Sequence, residues 1–99
     1  MASGQIKLTP SELRTSAGKY TKGASDVRTI LDSLNKEQAT ISANWSGSSF
    51  QKFNDQYNSL TPKIKQFADL LDQINKQLVS VANIIEDTDA KIASQINTL

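Results

Sequence analysis

Two long apolar repeats, separated by a tryptophan and a glycine, constrain this chain most. Within each repeat, apolar residues recur at alternating steps of three and four, which is the heptad spacing of packed α-helices. The residues expected to form the stripe that packs in the core of the hairpin or in a dimer are Leu13, Tyr20, Val27, Leu31, Leu34, Ile41, Phe50, Phe53, Tyr57, Leu60, Ile64, Phe67, Leu71, Ile74, Leu78 and Val81. A β-strand would need strict alternation, which neither repeat shows. We therefore predict an all-α fold built from two long helices.

The boundary between the two repeats predicts a tight reversal of the chain. Trp45, Ser46 and Gly47 lie there, and Trp45 is the only tryptophan. Glycine adopts backbone angles that other residues avoid, and burial of an indole contributes roughly 1.5–3 kcal/mol. Ser48 and Gln51 have the spacing of a capping box at the start of the next helix. The two helices are therefore expected to form an antiparallel hairpin with Trp45 packed at the turn.

The start of the first helix is marked by three residues. Thr9, Pro10 and Glu12 stand in the order of an N-cap, a first helical residue and the partner of a capping box. The preceding segment carries no apolar pattern, and the acidic residues near the C-terminus favour fraying there. The expected division is a flexible leader at 1–8 and one helical-hairpin domain at 9–99. Within that domain we expect helices at about 9–44 and 48–92, a turn at 45–47 and a frayed tail.

Two residues lie inside the predicted helices although they disfavour helix. Pro62 removes one backbone hydrogen bond from the second helix, but Leu60 and Ile64 stay in phase across it. A single helix kinked near Pro62 is therefore preferred over a separate helix capped by Thr61. Gly23 costs about 1 kcal/mol relative to alanine in the first helix, and it indicates that another helix approaches closely.

Composition argues against several classes of function. The chain of 99 residues contains no cysteine and no histidine, so it lacks disulfides, thiol nucleophiles, the usual zinc ligands and the usual general base. Its net charge of +1 gives no strongly basic surface for nucleic acid. No apolar run reaches membrane-spanning length, and the N-terminus lacks the layout of a signal peptide. We predict a non-enzymatic protein without cofactor, metal or small-molecule ligand, which acts by binding other proteins.

The width of the apolar stripe predicts self-association. Ile30, Leu70 and Ile84 extend the stripe sideways, so that it is wider than one partner helix can cover. Two helices alone seldom bury enough surface to be stable. The expected remedy is a second copy of the chain, which completes an antiparallel four-helix bundle.

Short motifs along nearly the whole chain point to a known family. They are Ile6-Lys7-Leu8-Thr9-Pro10, the central Asn44-Trp45-Ser46-Gly47, Phe50-Gln51-Lys52-Phe53 and Leu60-Thr61-Pro62-Lys63. With them, the chain resembles the WXG family of type VII secretion substrates, also called ESAT-six-like or EsxA-like proteins. The resemblance implies a virulence or secretion-associated protein that leaves a Gram-positive or mycobacterial cell as a folded dimer. It also implies an FtsK/SpoIIIE-like secretion ATPase as partner, other type VII substrates as further partners, and no cleaved signal peptide.

The resemblance further implies a second export signal in the C-terminal helix. Ile85, Asp89, Ile92 and Ile96 match the Firmicutes version of this signal, a hydrophobic residue followed by aspartate and two further hydrophobic residues. The mycobacterial version is a tyrosine four residues before an acidic residue. It has no match in the C-terminal part of this chain, because no tyrosine follows Tyr57. The match favours a Firmicutes source and a homodimer in which the Trp45 turn of one subunit lies near the tail of the other.

The same residues also have simpler structural interpretations. Trp45 and Gly47 serve a turn, and Ile85 and Ile92 extend the core. Asp89 is a solvated charge. Asp69 and Asp72 are expected to form ion pairs along their own helix with Lys65 and Lys76.

Two other functions remain open. One is a helical chaperone that pairs with a larger type VII toxin, and the other is a membrane-active amphipathic protein.

Overall fold

The computed structural model describes residues 7–97, and within this range the chain is a helical hairpin without strands. Helix α1 spans Pro10–Asn44 and helix α2 spans Ser48–Asn97. The two helices pack side by side into a rod of 80 × 25 × 17 Å. The all-α hairpin predicted from the heptads is confirmed. Residues 1–6 of the expected flexible leader lie outside the described residues.

Helix α1 begins with the expected capping box. The Thr9 hydroxyl accepts a hydrogen bond from the Glu12 amide at 3.1 Å, and the Thr9 amide donates to the Glu12 carboxylate at 3.2 Å. Pro10 is the first helical residue, where a missing N–H group costs nothing. Two of the amides that every helix N-terminus leaves without a backbone partner are thereby satisfied.

The turn is made by an extended residue and a left-handed glycine. Trp45 ends α1 with φ −133° and ψ 120°, and Gly47 has φ 114°. Helix α2 then begins at Ser48, and the Gln51 amide donates to the carbonyl oxygen of Gly47 at 3.3 Å. The predicted capping box between Ser48 and Gln51 is therefore wrong, because Gly47 takes the N-cap position.

Helix α2 is one continuous element of 50 residues that passes through Pro62. The Thr61 hydroxyl donates to the Tyr57 carbonyl at 3.1 Å, so Thr61 lies inside the helix and does not cap a new one. The helix continues to Asn97, past the predicted end near residue 92. Alanine and glutamine, which favour helix, occur in this last segment and explain the extension. A bend at Pro62 and fraying of the tail stay predictions.

The buried contact between the helices is made of small side chains. In the described chain, the residues with almost no exposed surface are Leu13, Ala17, Ala24, Leu31, Ala68 and Ala82. Ala68 and Ala82 lie outside the predicted stripe, whereas Phe67 and Leu60 belong to it and remain 52% and 49% exposed. Small residues let the two helices approach closely, and bulky neighbours one position away are turned outward.

Polar side chains fix the alignment of the two helices. The Asn75 amide donates to the Ala17 carbonyl oxygen at 2.8 Å, and the Gln38 amide donates to Asn54 at 3.1 Å. A Cβ atom added at Gly23 would lie 3.6 Å from Leu71 Cδ1, an ordinary van der Waals distance, so the contact between the helices does not by itself require the glycine that the sequence places there.

Candidate interaction surfaces

One side of the hairpin carries a line of charged contacts between the helices. Arg28 bonds to Asp69 at 2.9 Å and to Asp72 at 2.7 Å. The hydrogen bonds that the Arg28 guanidinium donates to Asp72 and, with a smaller effect, to Asp69 raise the pKa of Arg28 above its ordinary value. The predicted ion pairs of these aspartates with Lys65 and Lys76 are therefore wrong, since the nearest cation comes from the other helix.

The same arrangement is repeated toward the C-terminal end of α2. Arg14 pairs with Glu86, and its guanidinium also donates to Asn83 at 2.7 Å. We call the six residues of these two clusters the polar flank, namely Arg14, Arg28, Asp69, Asp72, Asn83 and Glu86. Arg14 lies fourteen residues before Arg28 on α1. On α2, Asn83 and Glu86 lie fourteen residues after Asp69 and Asp72. This two-heptad spacing of charged and polar residues can be read from the sequence, although the heptads of apolar residues do not predict it.

The bulky residues of α1 lie on the opposite side from Arg28. Ala24 and Leu31 are both buried, and Val27 and Arg28 lie between them in the sequence. Val27 is three residues after Ala24, whereas Arg28 is three residues before Leu31. Because successive helical residues are rotated by about 100°, Arg28 and Val27 are on opposite flanks of the buried line. The residues at heptad spacing from Val27 are Tyr20, Leu34 and Ile41.

Helix α2 presents its bulky residues on the same side as Val27. The buried Ala68 is preceded by Phe67 and followed by Asp69, so these two neighbours lie on opposite flanks. Asp69 contacts Arg28, and Phe67 must therefore share the flank of Val27. The residues at heptad spacing from Phe67 are Phe53, Leu60, Ile74 and Val81.

These two rows, together with Ile30, which lies about one helical turn after Val27, form a surface that we call the apolar face. Its members are Tyr20, Val27, Ile30, Leu34, Ile41, Phe53, Leu60, Phe67, Ile74 and Val81. All of them are exposed or only half-buried, and Ile30 is 58% exposed. An apolar surface that runs along two helices is typical of a protein-binding site. The predicted stripe is therefore divided between the contact inside the hairpin and this outward surface.

The turn forms a small aromatic cluster at one end of the rod. The centroid of the Trp45 ring lies 5.6 Å from that of Phe50, in an edge-on arrangement, and 5.5 Å from that of Phe53. Trp45 is nevertheless 39% exposed, so its expected burial is not achieved within one chain. Gly47 provides the reversal, while the indole remains accessible to a partner.

The predicted C-terminal signal lies at the other end of the rod. Ile85 is half-buried, Asp89 is exposed, and Ile92 and Ile96 are 50% and 64% exposed. About 60 Å of helix separates the start of α2 from Asp89. A single chain therefore keeps the turn and the tail apart.

The described residues hold no group of three or more histidine, cysteine, aspartate or glutamate side chains with the geometry for a metal ion. Between residues 7 and 97, neither helix is long and apolar enough to cross a membrane. The surfaces available for function are the apolar face, the polar flank, the turn and the tail.

Comparison with known proteins assigns this hairpin with a Trp-x-Gly turn to a family. A family model described as proteins of 100 residues with WXG matches residues 5–90. The chain belongs to the WXG100 family. In this WXG100 protein the family's tryptophan and glycine are Trp45 and Gly47, the two residues that make the turn.

Relatives of this WXG100 protein are found among Gram-positive bacteria. An ESAT-6-like protein of Streptococcus agalactiae is 59% identical over 93 residues, covering 94% of this chain and 97% of the relative. The type VII secretion system extracellular protein A of Staphylococcus aureus is 37% identical over 89 residues, covering 90% and 92%. The predicted family resemblance is thereby confirmed, and the Staphylococcus aureus relative is named as an extracellular protein.

Solved structures share the hairpin of this WXG100 protein. EsxA of Geobacillus thermodenitrificans has a TM-score of 0.81 and 39% identity, over 90% of this chain and 99% of that one. The secreted protein EsxB of Bacillus anthracis has a TM-score of 0.78 with 24% identity, over 84% and 99%, and it supports the fold alone.

Proposed function

We propose that this protein is exported by a type VII secretion system as a folded homodimer and acts outside the cell by binding proteins. The observation that carries this proposal is the apolar face. It runs along both helices, and α1 and α2 of the same chain do not cover it. Membership of the WXG100 family and the extracellular relatives support export.

The shape of the single chain supports a second copy as the cover of the apolar face. The chain exposes 7570 Å², whereas a compact monomer of its mass exposes about 5,500 Å². Its radius of gyration is 22.3 Å, against about 13 Å for a compact domain of this length. The excess surface of roughly 2,000 Å² is more than the share each partner buries in a stable interface. Dimerisation through this face would form a four-helix bundle.

The turn and the tail are the segments that we expect the export machinery to recognise. Trp45 is partly exposed at one end of the rod, and Ile92 and Ile96 are exposed at the other. An antiparallel dimer would bring the turn of one copy beside the tail of the other. We infer that an FtsK/SpoIIIE-like ATPase binds this combined surface through the indole and through the row of Ile85, Asp89, Ile92 and Ile96.

Export of a Trp45→Ala variant tests this proposal. The variant should remain a helical dimer but disappear from the culture medium, since the rest of the aromatic cluster still closes the turn. A double variant, Ile92→Ala with Ile96→Ala, should likewise remain a helical dimer and disappear from the culture medium. Thr88→Ala, which alters an exposed tail residue outside the motif, should be exported normally. Undiminished export of the folded Trp45→Ala protein would contradict the role of the turn.

A helical chaperone of a larger type VII toxin is the alternative that the same apolar face favours. In that case the face would cover helices of a different protein, and the purified chain would associate weakly with itself. Sedimentation of the pure chain at micromolar concentration distinguishes the two, because a homodimer and a monomer differ twofold in mass.

A further inference from the structure

The rows of residues that lie between the two helices change from apolar to polar toward the turn. On α1, Ala24 and Leu31 are buried, and Gln38 follows them at the same heptad spacing. On α2, Asn54 lies two heptads before the buried Ala68. The half of the hairpin next to the turn therefore carries amides at the positions where the other half has its core.

We call residues 32–61 the arm, because they begin after the last buried residue of α1 and none of their side chains is buried. Besides the aromatic cluster at the turn, two hydrogen bonds between side chains join the helices there. The Gln38 amide donates to Asn54 at 3.1 Å, and the Tyr57 hydroxyl donates to Asn35. Residues 32–61 contain no ion pair between the helices.

The rest of the hairpin, residues 10–31 and 62–97, is more firmly held, and we call it the base. All the buried residues of the described chain lie in it. The ion pairs that join the two helices also belong to the base, namely those of Arg14 with Glu86 and of Arg28 with Asp69 and Asp72. Because both core and ion pairs are confined to the base, the arm contributes little to the stability of the hairpin.

The border between arm and base carries a helix-start signal inside α2. Thr61 and Pro62 repeat the threonine and proline that begin α1 at Thr9 and Pro10. In the intact helix the Thr61 hydroxyl donates to the Tyr57 carbonyl, and Pro62 leaves one carbonyl of the preceding turn without its amide donor. In a helix that begins at Pro62, Thr61 is the N-cap and the missing amide costs nothing. The sequence thus disfavours helix before Pro62 and favours helix after it.

The helical segments of the arm have little stability of their own. Residues 32–44 of α1 and 48–61 of α2 are each within the range of roughly 12–15 residues at which an isolated helix is marginal in water. The last turn of α1 has no basic residue and the first turn of α2 has no acidic residue, so neither helix dipole is compensated at the turn. Separation of the two segments should therefore melt both.

We propose that the arm unfolds locally while the base stays folded, and that Thr61 and Pro62 then become the N-cap and first residue of a shortened α2. Segments with few buried apolar contacts are the ones that open without global unfolding. The aromatic cluster around Trp45 lies in the arm, so a partner that binds the indole engages the least stable part of the hairpin. This inference requires neither the homodimer nor the export proposed above.

Hydrogen exchange of the full chain, followed by mass spectrometry, tests the local opening. After correction for intrinsic rates, amides of the arm should exchange at least tenfold faster than amides of residues 13–31 and 68–86 in the base. Urea below the unfolding transition should accelerate exchange of the base far more than that of the arm, because local opening exposes less surface than global unfolding. Equal protection of arm and base, or an equal response to urea, would overturn the proposal.

Thr61→Val tests the cap that the opened state requires. Valine keeps the shape of threonine but cannot accept a hydrogen bond at an N-cap, so the ratio of exchange rates between arm and base should fall about fivefold. Thr40→Val is the matched control, since Thr40 lies inside the arm and its hydroxyl makes the same kind of bond, to the Lys36 carbonyl. The control should leave the ratio unchanged. A ratio that Thr61→Val does not lower would overturn the proposed start of the shortened helix.

Discussion

Gly47 is the residue on which the reversal of the chain depends. Its φ of 114° lies in a region that residues with a Cβ atom rarely adopt, and nothing lies within 4 Å of the place a Cβ would take. Strain in the backbone therefore decides the preference for glycine, and contact with neighbours does not. Trp45 needs no such conformation, and its role depends on its exposed ring.

Gly47→Ala should lower the free energy of unfolding by about 1–2 kcal/mol, since the alanine must take a left-handed conformation. Urea denaturation followed by circular dichroism measures the change. Gly18→Ala is the control, because Gly18 lies inside α1 in ordinary helical conformation, and this variant should gain up to about 1 kcal/mol. A stability equal to wild type in Gly47→Ala would show that the turn relaxes to another conformation.

At the scale of the helices, local sequence fixes the start of α1 more firmly than the course of α2. The capping box at Thr9 and Glu12 satisfies amides with side chains from its own turn, so the helix starts where those residues stand. Helix α2 contains Pro62, which locally disfavours helix, yet it continues, with Tyr57 before the proline bonded to Asn35 of α1 and Ile64 after it half-buried. Packing against α1 therefore outweighs the local preference.

Thr9→Ala should destabilise the protein by about 1 kcal/mol, because the Glu12 amide loses its acceptor. Thermal unfolding at fixed protein concentration measures this loss. Thr29→Ala, an exposed change in the middle of α1, should be neutral or slightly stabilising. Equal effects of the two substitutions would mean that the capping box does not contribute in solution.

Pro62→Ala should stabilise α2 by about 1–3 kcal/mol, because alanine restores an amide that can donate to the Asn58 carbonyl. The measurement is the urea midpoint at a fixed concentration of chain. Gln66→Ala, one turn further along and exposed, controls for helix propensity. A lower stability of Pro62→Ala would indicate that a bend at the proline serves the assembled state.

At the scale of the whole molecule, the hairpin buries small side chains and exposes large ones. The contact between α1 and α2 centres on alanines, and within the described chain no large side chain is fully buried. Most of the apolar surface that could stabilise this fold lies on the apolar face. The stability of the protein should therefore depend on its concentration, as expected when folding is coupled to association.

Phe67→Ser should raise the dissociation constant of the dimer about 100-fold or more, since each of two copies loses a large apolar contact of roughly 2 kcal/mol. Sedimentation equilibrium measures this change. Asp69→Ser, two residues away on the polar flank, is the matched control and should leave association unchanged because Arg28 keeps Asp72. Comparable weakening by both substitutions would place the interface elsewhere.

The secondary structure and the reversal of this chain follow from short-range features of its sequence. The cap at Thr9, the heptads and the glycine at position 47 act on neighbours within about one helical turn, so their effect can be read from spacing. The match to the WXG family also required only the central motif and its flanking repeats. In the same way, the net charge and the absence of cysteine and histidine narrowed the classes of function.

Which row of α2 faces α1 depends on contacts between the two helices. The rows containing Phe67 and Ala68 are one residue apart, a rotation of about 100° about the helix axis, and the heptad spacing is identical for both. Three kinds of contact place the row of Ala68 against α1. They are the close approach at Ala68 and Ala82, the hydrogen bond from Asn75 to Ala17, and the pairing of Arg28 with Asp69 and Asp72. These contacts join residues more than forty positions apart, so periodicity within one helix could not reveal them. That rotation leaves Phe67 and its row on the surface, available to another chain.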